Sequence, residues 1–132
     1  MGVVRVAARP SSVAAVRSTL RGDLAMLPEP VREDVALVAS ELLGNAMRHG
    51  SSLADGQLAI SWEVDAAGVE IAVTDGGGPT EPTVEEPAPT EIGGRGLSIV
   101  ATLSAQWGVE RHGTETTVWA LIPMLSPRLA PA

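Results

Sequence analysis

Glu41-Leu42-Leu43-Gly44-Asn45-Ala46-Met47-Arg48-His49 is the stretch on which the reading of this chain turns. Residues four apart neighbour each other on a helix surface. Glu41, Asn45 and His49 therefore share one polar line, beside an apolar face of Val35, Val38, Leu42 and Ala46. A carboxylate can orient or deprotonate a water or hydroxyl. An amide oxygen is a suitable hard ligand for magnesium. Taken alone, the segment reads more simply as the solvated face of an amphipathic helix.

The surrounding pattern places this helix in a fold. Pro28-Glu29-Pro30 opens it, with Glu29, Glu33 and Asp34 at the positive end of its dipole, and the pattern continues to about Arg48. Gly50 is the expected C-terminal cap. Upstream, residues 3–8 are an apolar run that predicts a first strand. Arg9-Pro10-Ser11-Ser12 predicts a turn and a helix cap. Val13, Val16, Arg17 and Leu20 then recur at helical spacing until Gly22. Downstream, residues 58–64 alternate as a strand, Asp65-Ala66-Ala67-Gly68 is a turn, and residues 69–74 return as the second arm of a hairpin. Residues 80–90 carry Pro82, Pro87 and Pro89 without an apolar period and predict a mobile loop. A third helix is expected from about Arg95 to Leu103, then a strand pair over 107–110 and 116–122. The tail over 124–132 is expected to be frayed. The order β-α-α-β-β-α-β-β predicts one α+β domain over 1–123. It is a two-layer sandwich with helices on one face of a mixed, mostly antiparallel sheet.

Composition narrows the function. The chain has 132 residues, 45 % hydrophobic and 19 % charged, which suits a single globular core. It has no cysteine, so no disulfide framework, and its net charge is −7. It has no lysine, and its nine arginines are scattered, which argues against direct nucleic-acid binding. A Walker-type P-loop and Schiff-base chemistry both require the missing lysine. No apolar run approaches a membrane span, and the first residues lack a signal-peptide pattern. The expected location is cytoplasmic.

Three further blocks carry chemistry. Asp75 closes a strand and opens Gly76-Gly77-Gly78. Glycine there permits φ > 0 and close approach of a ligand, and the fixed carboxylate can accept from an exocyclic amine such as that of adenine. The plainer alternative is an Asp-Gly turn. Gly93-Gly94-Arg95-Gly96-Leu97 leads into an apolar helix whose free N–H groups suit an anion, with the Arg95 fork matching phosphate. It is not the G-x-G-x-x-G dinucleotide pattern, and a hinge with a solvated Arg95 is the alternative. Gly113-Thr114-Glu115-Thr116-Thr117 begins the last strand, and its threonines serve as strand formers or as hydroxyl donors. His49 and His112 alone make a structural zinc site implausible. His49 is expected at the helix end and His112 in a turn.

The order of these blocks resembles the GHKL ATP-binding superfamily with its Bergerat fold. Ser40-Glu41-Leu42 with Asn45-Ala46 and His49, Gly93-Gly94-Arg95-Gly96-Leu97, and Val118-Trp119 look most like small actinobacterial anti-sigma-factor serine/threonine kinases. These are relatives of histidine-kinase ATPase domains. The resemblance spans residues 3–123. It implies ATP and Mg²⁺ as cofactors, Asn45 as the metal ligand and Glu41 as the general base. It implies Asp75 on the adenine amine with Gly77 allowing approach and Thr116 in support. Gly94, Gly96 and Leu97 open the phosphate-binding helix, with Arg95 as an added phosphate contact, and 79–92 is the ATP lid. Pro79 stands where family members often have a second glycine. The lid holds Glu81, Glu85, Glu86 and Glu91, which repel a triphosphate unless they turn outward.

The resemblance implies a sigma factor and a small anti-anti-sigma protein as partners. Relatives commonly dimerise, with residues 3–8 as a candidate edge for a homodimer. Two other readings stand beside the kinase: a non-catalytic nucleotide-binding or interaction module, and a stand-alone ATPase domain that hydrolyses ATP or serves a histidine kinase.

Overall fold

The computed structural model describes residues 1–77 and 92–125, with side chains from 97 onward in the second segment. The expected lid over 79–92, apart from Ile92, and the tail beyond 125 lie outside these residues. The elements are β1 (Gly2–Ala7), α1 (Ser11–Asp23), α2 (Glu29–His49), β2 (Gln57–Asp65), β3 (Gly68–Asp75), α3 (Ile92–Leu103), β4 (Gln106–His112) and β5 (Glu115–Pro123). The strands form one sheet in the order β1-β2-β3-β5-β4. All four pairings are antiparallel, so the described sheet is not mixed. The reason lies in the connections: α3 delivers the chain to the edge strand β4, and the β4–β5 hairpin brings β5 back beside β3 in the opposite direction.

Alternation along the strands sorts the two faces. Leu58, Ile60 and Trp62 of β2, Val69, Ile71 and Val73 of β3, and Val118, Ala120 and Ile122 of β5 are buried in one core. Against them lie Val35, Val38, Ala39, Leu42 and Ala46 of α2, Val16 and Leu20 of α1, and Leu97, Val100 and Leu103 of α3. Fully burying a Leu or Val side chain contributes roughly 1.5–3 kcal/mol, so α2, which supplies the most such residues, anchors the helical layer. Ser61, Glu63, Glu70, Ala72, Thr117 and Trp119 occupy the opposite, helix-free face. The Trp62 indole N–H donates to the Asp23 carboxylate (2.5 Å). A Cβ at Gly2 would strike the Trp62 ring, so the first residue of β1 must be small.

Three local expectations are revised. The serines after Pro10 make no side-chain cap on α1; the Ser12 hydroxyl instead donates to the Ala7 carbonyl (2.7 Å), tying the helix start to the end of β1. Gly50 follows α2 with extended backbone, φ −98° and ψ −172°, so it is no left-handed cap, although its N–H does close the helix on Ala46. α3 begins at Ile92, not Arg95, so Gly93 to Gly96 form its first turns and do not precede it. The buried face of Leu97, Val100 and Leu103 holds the helix on the core. That packing outweighs the roughly 1 kcal/mol that each glycine costs a helix relative to alanine.

Candidate functional site

The inward rows of β3 and β5 each end on a polar residue. Continuing Val69, Ile71 and Val73 by two brings Asp75 to the helix-facing side, 5 % exposed. Continuing Ile122, Ala120 and Val118 backwards brings Thr116 there, 3 % exposed, and the two are register partners. A carboxylate and a hydroxyl thus sit at the lip of an apolar core, where period-two alternation forces them to point inward.

The turn after Asp75 is fixed on every side. The Gly77 N–H donates to Asp75 Oδ1 (2.6 Å). The Gly77 carbonyl accepts from the Ser51 hydroxyl (2.6 Å). The Gly76 N–H donates to the Ser51 carbonyl (2.6 Å). Gly77 has φ +91°, a region that disfavours any side chain, and a Cβ there would overlap the Thr114 carbonyl. A Cβ on Gly76 would overlap the Ser52 carbonyl, and one on Gly50 would overlap the Asp75 carboxylate. Glycine is therefore required at Gly50 because Asp75 packs onto its Cα. Asp75 Oδ2, unlike Oδ1, has no hydrogen-bond partner among the described residues. Burial raises the Asp75 carboxyl above the ordinary carboxylate value. The Gly77 N–H and the charge of Arg111, which stands opposite Thr116 across the β4–β5 ladder, pull it partly back.

The line along α2 divides by depth. Glu41 is half-buried, Asn45 is 3 % exposed, and His49 is exposed in the last turn. Neither the Glu41 carboxylate nor the Asn45 amide bonds to a described residue. A buried amide usually has a partner, so the Asn45 side chain has unused capacity. The end of α2 leads through Gly50 and Ser51 directly onto the Asp75 turn, which joins the helix line and the turn into one site. His49 stays outside it. His112 ends β4 and lies 3.4 Å from Glu110.

The remaining sequence candidates divide as follows. Gly94, Arg95 and Gly96 lie in the opening turns of α3. Leu97 is 2 % exposed and packs into the core, so its side chain seats α3. Sequence reasoning missed Gly50 as a contact of Asp75, and missed Ser51 altogether. The one available signal was the small-residue run Gly50-Ser51-Ser52, which also fits an ordinary loop.

A carboxylate oxygen with no hydrogen-bond partner among the described residues thus lies beside glycines that cannot bear a side chain. Known proteins carry the same arrangement of elements. The chain matches, over 100 % of its length and 34 % of the other's, the crystal structure of the RsbU and RsbW domains of a Mycobacterium tuberculosis protein. The TM-score is 0.64 at 21 % identity. It also matches the histidine kinase domain of a blue-light activated histidine kinase from Erythrobacter litoralis. There the TM-score is 0.51 at 22 % identity, over 87 % of this chain and 60 % of that one. These likenesses show the fold. In sequence, 72 residues are 40 % identical to a blue-light-activated histidine kinase of Rhizobium johnstonii, covering 52 % of this chain and 21 % of that protein. The chain thus spans about a fifth of that relative and a third of the first structural one. Among the described residues no helix is long and apolar enough to cross a membrane. Residues 6–122 match the family described as histidine kinase-like ATPase domain, and the chain belongs to that family, the GHKL type that its motif order resembles.

Proposed function

We propose that the chain is an ATP- and Mg²⁺-binding regulatory kinase domain that phosphorylates a serine or threonine of a small anti-anti-sigma protein and sequesters a sigma factor. The observation that carries the nucleotide reading is the Asp75 turn: Oδ1 is held by the Gly77 N–H, Oδ2 has no hydrogen-bond partner among the described residues, and side chains are barred at Gly50, Gly76 and Gly77. The open oxygen accepts from the exocyclic amine of adenine, and the Thr116 hydroxyl supports that end of the site. The residues present also suit a metal–triphosphate. Asn45 offers a buried amide oxygen with no partner among the described residues, a hard ligand for Mg²⁺. Gly94 and Gly96 offer backbone N–H groups at a helix start, and Arg95 offers a guanidinium fork. With both bound, the chemistry available is phosphoryl transfer, in which positioning and charge neutralisation do most of the catalysis. Glu41, one turn before Asn45, takes the proton of the attacking hydroxyl. The test is titration of the purified chain with ATP and ADP, with and without Mg²⁺. Binding of ATP that strengthens with Mg²⁺ is expected, and failure to bind either nucleotide sinks the reading.

A second reading has its own support. The 72-residue match at 40 % identity is to a histidine kinase, which favours an ATPase domain that serves a phosphoacceptor histidine. Acid treatment of the labelled product separates the two. A phosphoserine or phosphothreonine survives acid, and a phosphohistidine does not.

A further inference from the structure

We propose that Ser51 is a positioning residue that sets the selectivity of the site for adenine over guanine. The inference rests on the nucleotide reading above, because it concerns the same Asp75 turn. Ser51 uses both its backbone and its side chain on that turn. Its carbonyl accepts from the Gly76 N–H (2.6 Å), and its hydroxyl donates to the Gly77 carbonyl (2.6 Å). Gly77 is the pivot, since its N–H holds Asp75 Oδ1 (2.6 Å). Gly77 also sits at φ +91°, one of several regions open to glycine, and nothing in its own side chain confines it there. The Ser51 hydroxyl makes the only hydrogen bond to that carbonyl among the described residues. With it, both polar groups of Gly77 are fixed and the Asp75 carboxylate has one orientation. Without it, ψ of Gly77 is released, and the backbone conformation at φ +91° that aims the Gly77 N–H at Oδ1 loses one of its two restraints.

Orientation matters here because the discrimination is a matter of one atom. Adenine presents an amine to the carboxylate, and guanine presents a carbonyl oxygen at the same ring position. A carboxylate held in place accepts from the first and repels the second. A carboxylate free to turn loses both effects. Ser51 is also exposed, so its hydroxyl adds nothing to the hydrophobic core, and its loss should spare the fold. Its other anchor is the end of α2: the preceding residue, Gly50, donates to the Ala46 carbonyl (2.9 Å). The clasp therefore fixes the turn relative to the helix that bears Glu41 and Asn45.

The experiment is calorimetric titration of the whole chain with ATP and with GTP, both in Mg²⁺, for the wild type, Ser51→Ala and Ser51→Thr. Wild type is expected to favour ATP. Ser51→Ala is expected to weaken ATP roughly two- to tenfold, the size of one net hydrogen bond, with GTP unchanged or slightly stronger. The ATP-to-GTP ratio then falls. Ser51→Thr, which keeps the hydroxyl, is expected to restore it. A general loss of structure would weaken both nucleotides alike, so an equal loss overturns the proposal, as does an unchanged ratio in Ser51→Ala. Those results leave the nucleotide reading standing. A wild-type chain that binds neither nucleotide removes the nucleotide reading and the role of Ser51 with it.

Discussion

The Asp75 turn and the Glu41–Asn45 line of α2 stand side by side but are built in opposite ways. At the turn, the Gly76 N–H and both backbone polar groups of Gly77 are taken up by Ser51 and Asp75, while Asp75 Oδ2 has no hydrogen-bond partner among the described residues. On α2, the Glu41 carboxylate and the Asn45 amide have no partner among the described residues, although Asn45 is buried. The difference suits two tasks. Reading a base needs an acceptor whose direction is set before the ligand arrives, and preorganisation spares the ligand that ordering cost. Handling a metal and a moving proton needs groups whose lone pairs are not already committed.

The largest expected effect attacks the open line. Glu41→Gln is expected to slow phosphoryl transfer by roughly 10²–10⁴, the range for removing a general base, while ATP binding is retained. Unchanged transfer and unchanged partner binding would remove Glu41 from the mechanism. Next, Asn45→Ala is expected to cost at least the roughly 10–100-fold in metal affinity that loss of even an outer-shell partner brings. Calorimetry should show ATP binding that no longer responds to Mg²⁺; a preserved Mg²⁺ response means the metal is held elsewhere.

The braced end should fail differently. Gly50→Ala drives a methyl into the Asp75 carboxylate. Overpacking of this kind costs about 1–3 kcal/mol, and thermal melts should register it together with weaker ATP binding. If the melting temperature holds, the contact between Gly50 and Asp75 is softer than the geometry indicates.

The smallest effect is on stability against pH, and its sign follows from burial. Asp75 titrates above the ordinary carboxylate value in the folded chain. The folded state therefore binds that proton more tightly than the unfolded state does. At neutral pH the charged form costs stability. The cost fades as pH falls through the raised folded value and is gone below the ordinary one. Asp75→Asn keeps an oxygen for the Gly77 N–H and removes the charge. It should be at least as stable as wild type near neutral pH, with the difference shrinking on acidification, while ATP binding is lost. A wild type that gains on the variant as pH rises would reverse the assignment.

Much of this was legible in the sequence, for physical reasons that differ by residue. The 3.6-residue period of Val35, Val38, Leu42 and Ala46 reports a buried helix face directly, and the alternation in β2, β3 and β5 reports strands the same way. Asp75 was legible because a strand ran into three glycines. The brace on it was not. The hydrogen bond from Ser51 to Gly77 spans 26 positions in sequence, and no local pattern encodes such a contact. Gly50 had a sufficient local explanation as a helix stop, which hid its packing against Asp75. The start of α3 was misplaced because glycine propensity was read without the packing of Leu97, Val100 and Leu103 that overrides it.

Asn45 and Gly50 lie on and just past the same helix, five residues apart. At 1.5 Å of rise per residue that is about 7.5 Å along the axis. Through Gly50 and Ser51 this length fixes how far the Asp75 turn stands from the Asn45 amide. On the proposed nucleotide reading, the last turn of α2 is a gauge between the two ends of the ligand. A single residue inserted between Asn45 and Gly50 would lengthen it by about 1.5 Å and swing the amide by about 100° relative to the turn. The stretch 45–50 is therefore constrained in its count as well as at Asn45 and Gly50.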